Sequence, residues 1–312
     1  VGAGKGEYTV TPVLSADELT NYEINVNNAQ KLTVSARELT VTVSDLGSVY
    51  GEEPEALSSA TTLSGGTLVS GLETLGEIIS VTARAGNGGE LADGLTSSTP
   101  VGDYRIVCSV TNDNYAVTFN YTSGSYSTYT VSPATITGVT FTPYKGVYDA
   151  SEHAVLSAEP SATTANDMTA VWHFRLEGDD KWTEGWENLT LKNAGTYTVY
   201  YYVSADNHND YGSDSVMADG DSLSFPVTID KIDISVAFDG TITYGDDLPT
   251  YDYDGGKFTS RVTSGAYAAG ENFAALGLTG ITISAAEYFA GSTATKTYTL
   301  TWTFSGEPTN YN

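Results

Sequence analysis

Cysteine occurs once in 312 residues, methionine twice and histidine three times. A single cysteine cannot close an intrachain disulfide, so cysteine usage is silent on the redox compartment. The histidines, His153, His173 and His208, are far apart and outside any His-Glu-x-x-His pattern. They read as exposed or hydrogen-bonded strand and turn residues rather than zinc ligands. Basic residues are scarce: 13 Lys and Arg stand against 39 Asp and Glu, a formal charge of −26. Without a basic patch to release counterions, nucleic acid is excluded as a partner and anionic membrane surfaces are disfavoured. No stretch approaches the roughly 18 apolar residues of a membrane-spanning helix, so no membrane insertion by this segment is expected. A signal peptide and a C-terminal anchor are also missing from the sequence, and any such segments of a parent protein are expected to lie outside it.

Helical periodicity is nearly absent too, and period-two alternation takes its place. Leu39-Thr40-Val41-Thr42-Val43 and Thr297-Tyr298-Thr299-Leu300-Thr301-Trp302-Thr303-Phe304 alternate without error. Both predict half-buried antiparallel strands with the threonine side out, and Gly, Asn, Asp and Pro clusters mark the turns between such strands. With 40% hydrophobic residues and 22 tyrosines, the chain carries too much core-forming surface to stay disordered. It is too long for one sandwich of about 100 residues and suits two to four. Alternation along Tyr104–Val110 puts Cys108 on one face with Tyr104, Ile106 and Val110, which predicts a buried, inert thiol.

Three signals recur in the same order. A Gly-x-Tyr strand opening appears at Tyr8, Tyr104 and Tyr197, and Tyr298 holds the place without the glycine; the steps are 96, 93 and 101 residues. An Asn-Tyr pair follows at Asn21-Tyr22, Asn114-Tyr115 and Asn310-Tyr311, with a degenerate Asn207-His208-Asn209-Asp210-Tyr211 between. The third is Val49-Tyr50-Gly51-Glu52, Val147-Tyr148-Asp149 and Thr243-Tyr244-Gly245-Asp246. Tyr104, Tyr197 and Tyr298 are expected at equivalent buried positions. Boundaries fall near Ala36, Pro133 and Asp230, with almost no linker, which favours a rod over a flexible string.

These signals resemble the MBG-type repeats of large bacterial cell-surface, adhesin-like proteins. Residues 37–133 carry the full set, from Leu39-Thr40-Val41-Thr42-Val43 to Tyr129-Thr130-Val131-Ser132-Pro133. Residues 231–312 carry most of it, as a repeat lacking its closing strand. Residues 134–230, with Ile136-Thr137-Gly138-Val139 and Asn193-Ala194-Gly195-Thr196-Tyr197, are similar to a related Ig-like repeat, and residues 1–36 to the C-terminal part of a preceding one. The resemblance implies an all-β chain of tandem Ig-like antiparallel β-sandwiches in an elongated array, outside a bacterial cell. It implies a stalk or adhesive role and no catalytic residues or cofactor. It also raises an intramolecular Lys-Asn crosslink, for which Lys31 and Lys231 lie near strand termini.

Chemistry-bearing residues are few. No serine sits in a Gly-x-Ser-x-Gly elbow, and Gly2, Gly4 and Gly6 lack the helix that a phosphate loop needs. Asp246, Asp247, Asp252 and Asp254 are weak calcium candidates, read first as solvated turns; Glu52-Glu53 in the equivalent turn points to a turn preference. Trp182 and Trp186, in an acidic loop, are the sharpest binding candidates. Such rings stack on sugars while carboxylates take the hydroxyls, although a hairpin whose tryptophans cover a sandwich end explains them as well. Trp172 and Trp302 read as core.

A structural spacer is therefore the leading expectation. A module recognising a glycan or a host surface protein, centred on residues 134–230, is the second. An unpaired sheet edge in 231–312 and a strand in 1–36 with no sandwich of its own add end-to-end self-association as a further expectation.

Overall fold

The structure, a computed structural model, describes residues 4–10, 30–69, 73–91, 94–212, 223–240, 247, 258–285 and 300–312. These residues are mostly strand, arranged in several sheets, as the alternation predicts. Two compact units emerge, one of Val1–Ala134 with Ala165–Asp167, the other of Thr135–Thr164 with Met168–Asn312.

The first unit contains β1 (Gly6–Thr9), β2 (Lys31–Val34), β3 (Arg37–Val43), β4 (Leu46–Val49), β5 (Thr61–Gly65), α1 (Leu75–Ile78), β6 (Ile79–Arg84), β7 (Gly102–Val110), β8 (Tyr115–Tyr121) and β9 (Ser127–Ser132). Strands β5-β3-β8 form one sheet, β4-β9-β7-β6 another, and β1 pairs with β2. Alternation works as expected in β3, where Leu39, Val41 and Val43 are buried. Helix α1 is a single turn held by a reciprocal cap between Thr74 and Glu77.

Pairing direction departs from expectation. β3 runs parallel to β8, from Arg37 opposite Tyr115 to Val43 opposite Tyr121, and β4 runs parallel to β9. Only Ser44 and Asp45 separate β3 from β4, so the segment crosses from one sheet to the other, and β8 and β9 cross beside it. Asp45 fixes this crossing by accepting hydrogen bonds from the Thr122 hydroxyl (2.5 Å) and the Thr128 N–H (2.7 Å). Those bonds hold its carboxyl below the usual carboxylate range. Buried Ser127 donates to the Val43 carbonyl at 2.6 Å, tying the two sheets together.

In the second unit the strands are β10 (Ala134–Thr135, at the division), β11 (Thr137–Thr140), β12 (Lys145–Val147), β13 (His153–Ala154), β14 (Ser161–Thr163), β15 (Val171–Leu176), β16 (Thr183–Glu184), β17 (Thr190–Leu191), β18 (Gly195–Ser204), β19 (His208–Asn209), β20 (Ser224–Asp230), β21 (Ser235–Gly240), β22 (Phe258–Ser264), β23 (Thr279–Ala285) and β24 (Leu300–Ser305). The largest sheet is β12-β20-β18-β15-β16. β12 runs parallel to β20 while the other pairs in this sheet are antiparallel. The expectation of purely antiparallel sheets is thus corrected: β3, β4 and β12 each lie alongside a later strand of the same direction. Trp172, Phe174, Val199, Tyr201, Phe225 and Val227 lead a contiguous cluster of buried residues that reaches Phe273, Leu276 and Tyr311.

Local geometry repeats along the chain. Gly6 faces Val34, Gly102 faces Val131 and Gly195 faces Ile229, each in an antiparallel pair. The tyrosine two residues after each glycine donates its hydroxyl to a carbonyl four residues upstream: Tyr8 to Gly4 (2.5 Å), Tyr104 to Pro100 (2.8 Å) and Tyr197 to Asn193 (2.9 Å). Reaching back to that carbonyl keeps each ring toward the surface. Tyr104 and Tyr197 are half-buried, short of the expected burial, and Tyr8 is exposed; Tyr298 lies outside the described residues. Cys108 is also only half-buried, and Val110 on the same strand is exposed; burial still pushes the thiol up, away from the reactive thiolate.

A second recurrence was not anticipated. The β3/β5 register shifts between Thr40 and Val41, and the β21/β22 register between Ser235 and Val236. Just beyond the paired strands, Gly66 (φ +80°) and Gly265 (φ +77°) pass so close that a Cβ would meet the Glu38 and Asp233 carbonyl oxygens at 2.3 and 2.2 Å. Only glycine fits such a bend.

Candidate functional site

The Asn-Tyr pairs organise the most elaborate polar groupings. Tyr115 and Tyr311 are buried, so their hydroxyls need partners. Tyr115 donates to Glu73 and accepts from the Val69 N–H (3.3 Å), while Asn112 donates to the other Glu73 oxygen (3.2 Å). In the second unit Tyr311 donates to Glu271 and accepts from the Ala268 N–H (2.9 Å). Buried Tyr148 donates to the second Glu271 oxygen at 2.6 Å, its ring edge-on to Tyr311. Two phenols therefore share one carboxylate. Burial first, then the Glu271 bond, pushes the Tyr148 hydroxyl up to about 12. For Tyr115 the Glu73 bond is the main cause of a shift in the same direction.

The asparagines of these pairs do a different job. Asn114 accepts from the Lys5 N–H at 2.6 Å, and Asn310 accepts from the Ala194 N–H at 2.8 Å. Lys5 and Ala194 each precede the glycine of a Gly-x-Tyr opening. Asn310 also donates to the Asn193 side chain (3.2 Å). The two contacts span 109 and 116 residues, so an Asn-Tyr turn clamps an opening that lies a full period earlier. Asn21-Tyr22 and Tyr244 lie outside the described residues.

Trp182 and Trp186, four residues apart, are sent to different places. β15 and β18 bury Trp172, Phe174, Val199, Tyr201 and Val203 on one side. On the other side Trp182 packs edge-on to Tyr202 (4.8 Å), and the Arg175 guanidinium lies 5.1 Å from both the Trp182 and Tyr200 rings. His173 stacks on Tyr202 at 4.2 Å in the same strip. Trp186 instead packs against the buried cluster. It lines an open cleft of about 500 Å³ together with Glu159 and Glu184. The chain brings the two rings to no common surface.

The remaining candidates are dispersed. His153 bonds Asp149 (2.9 Å), His173 bonds Ser204 (3.0 Å) and His208 bonds the Asp206 carbonyl (2.8 Å). Among the described residues no three His, Cys, Asp or Glu side chains form a metal-binding group. Asp247 is exposed, and Asp246, Asp252 and Asp254 lie outside the described residues, as does the Trp302 side chain. Lys31 pairs with Glu7 (2.7 Å) and Lys231 donates to the Pro308 carbonyl (2.7 Å). No helix among the described residues is long and apolar enough to cross a membrane.

No protein-family model matches the chain, and no curated protein matches it. Sequence reading missed Glu73 and Glu271. The signal available was a glutamate six or seven residues after Gly66 and Gly265.

Proposed function

We propose that the chain is a non-catalytic spacer or adhesive segment of a bacterial extracellular surface protein, built from tandem Ig-like sandwich repeats of MBG and related type. The expected divisions are 1–36, 37–133, 134–230 and 231–312. The observation that carries this reading is the duplicated clamp, Asn114 on the Lys5 N–H and Asn310 on the Ala194 N–H. A spacer gains rigidity where neighbouring modules are tied by a fixed contact in addition to a short junction. The parallel placement of first and last strands across two sheets in 37–133, with a hydroxyl-to-backbone tyrosine bond at the strand opening, also suits an Ig-like module.

Small-angle X-ray scattering tests the proposal. One compact body of 312 residues would have a radius of gyration of about 20 Å, whereas sandwiches in a row are expected above about 30 Å. The compact value would overturn the spacer reading.

A further inference from the structure

We propose that the cleft beside Trp186 binds a small organic cation, an ammonium group on a body whose C–H bonds lie against the indole. At about 500 Å³ the cleft falls within the range of small-molecule sites. Its walls stand on paired strands: Val171 and Trp172 on β15, Glu184 on β16 and Ser161 on β14.

Three features select the ligand class. Trp186 has no ring contact or side-chain hydrogen bond with any described residue, whereas Trp182 is engaged by Arg175 and Tyr202. Glu159 and Glu184 are exposed at the cleft, and neither carboxylate bonds or ion-pairs with a described residue. Among the described residues no lysine, arginine or histidine lines the space. An indole face and two unneutralised carboxylates attract the same thing, a positive charge carried on a polarizable body. The chain's charge of −26 concentrates cations around it before any contact is made. A neutral sugar could lie on the indole but gains nothing from that field.

The test titrates the full chain at about pH 6, where a primary amine is protonated, following the tryptophan indole N–H resonances by NMR. The probes are tetramethylammonium, glucosamine and N-acetylglucosamine. Saturable shifts of the Trp186 resonance are expected with the first two and not with the third, which keeps the ring and lacks the charge. The double variant Glu159→Gln/Glu184→Gln is expected to weaken binding at least about tenfold, a loss of roughly 1.4 kcal/mol. Trp186→Ala should abolish it and Trp182→Ala should leave it intact. If Trp186→Ala fails to fold, the surface glutamine pair decides alone. Equal binding of N-acetylglucosamine, unchanged affinity in the glutamine variant, or no saturation with any probe would overturn the proposal. The scattering result on the spacer reading is independent of all three.

Discussion

Tyr148 and Tyr311 place two phenolic protons on the single carboxylate of Glu271, and that arrangement sets a pH limit. A phenol whose folded value is pushed from 10.0 to about 12 holds its proton where the unfolded chain has released it. Its contribution is therefore complete below pH 10 and is lost as pH rises from 10 toward 12. Thermal melts across that window should fall steeply for the parent chain and less steeply for Tyr148→Phe. An identical slope would show that the Tyr148 hydroxyl is not the group responsible. Such pairing was illegible in the sequence because the partners lie 123 and 40 residues apart and Glu271 sits in a loop without periodicity. The Trp182–Trp186 loop shows the converse. Proximity in sequence suggested a shared surface, but the strands it joins bury one side only, and the loop delivers one ring to each side.

At the scale of the element, alternation was the readable layer. Strands β3, β9, β18 and β20 bury alternate residues as their sequences require. Period two says which side faces inward and nothing about a neighbour's direction, so the parallel β3/β8, β4/β9 and β12/β20 pairs could not be read. Gly-x-Tyr was visible as a marker, yet its ring position depends on a hydroxyl bond to the preceding loop rather than on strand alternation. The bends at Gly66 and Gly265 carry no signal in the sequence beyond the glycine itself. Gly265→Ala should destabilise the second unit by about 2 kcal/mol or more, since its Cβ adds an overlap with the Asp233 carbonyl to an unfavourable φ. Chemical denaturation reads this directly, and a change below about 0.5 kcal/mol would mean that the bend relaxes freely.

For the molecule as a whole, the second unit keeps its buried residues in one contiguous cluster. The Tyr148–Glu271–Tyr311 group and the Asn310 clamp join residues 134–230 to 231–312 within it. Cooperative melting is the expected consequence, with one calorimetric transition for this unit. Asn310→Ala combined with Tyr148→Phe should separate it into two; persistence of a single transition would assign the coupling to apolar packing alone. The parallel crossing of β3–β4 beside β8–β9 carries a mechanical consequence. Tension applied at Arg37 and Ser132 pulls these neighbours past each other along their length, loading their backbone hydrogen bonds together instead of opening them one after another. Resistance under load depends on the barrier to that sliding and not on equilibrium stability. Stretched in an optical trap, this region should rupture abruptly at high force, whereas gradual yielding at low force would mean that the parallel ladder does not bear the load.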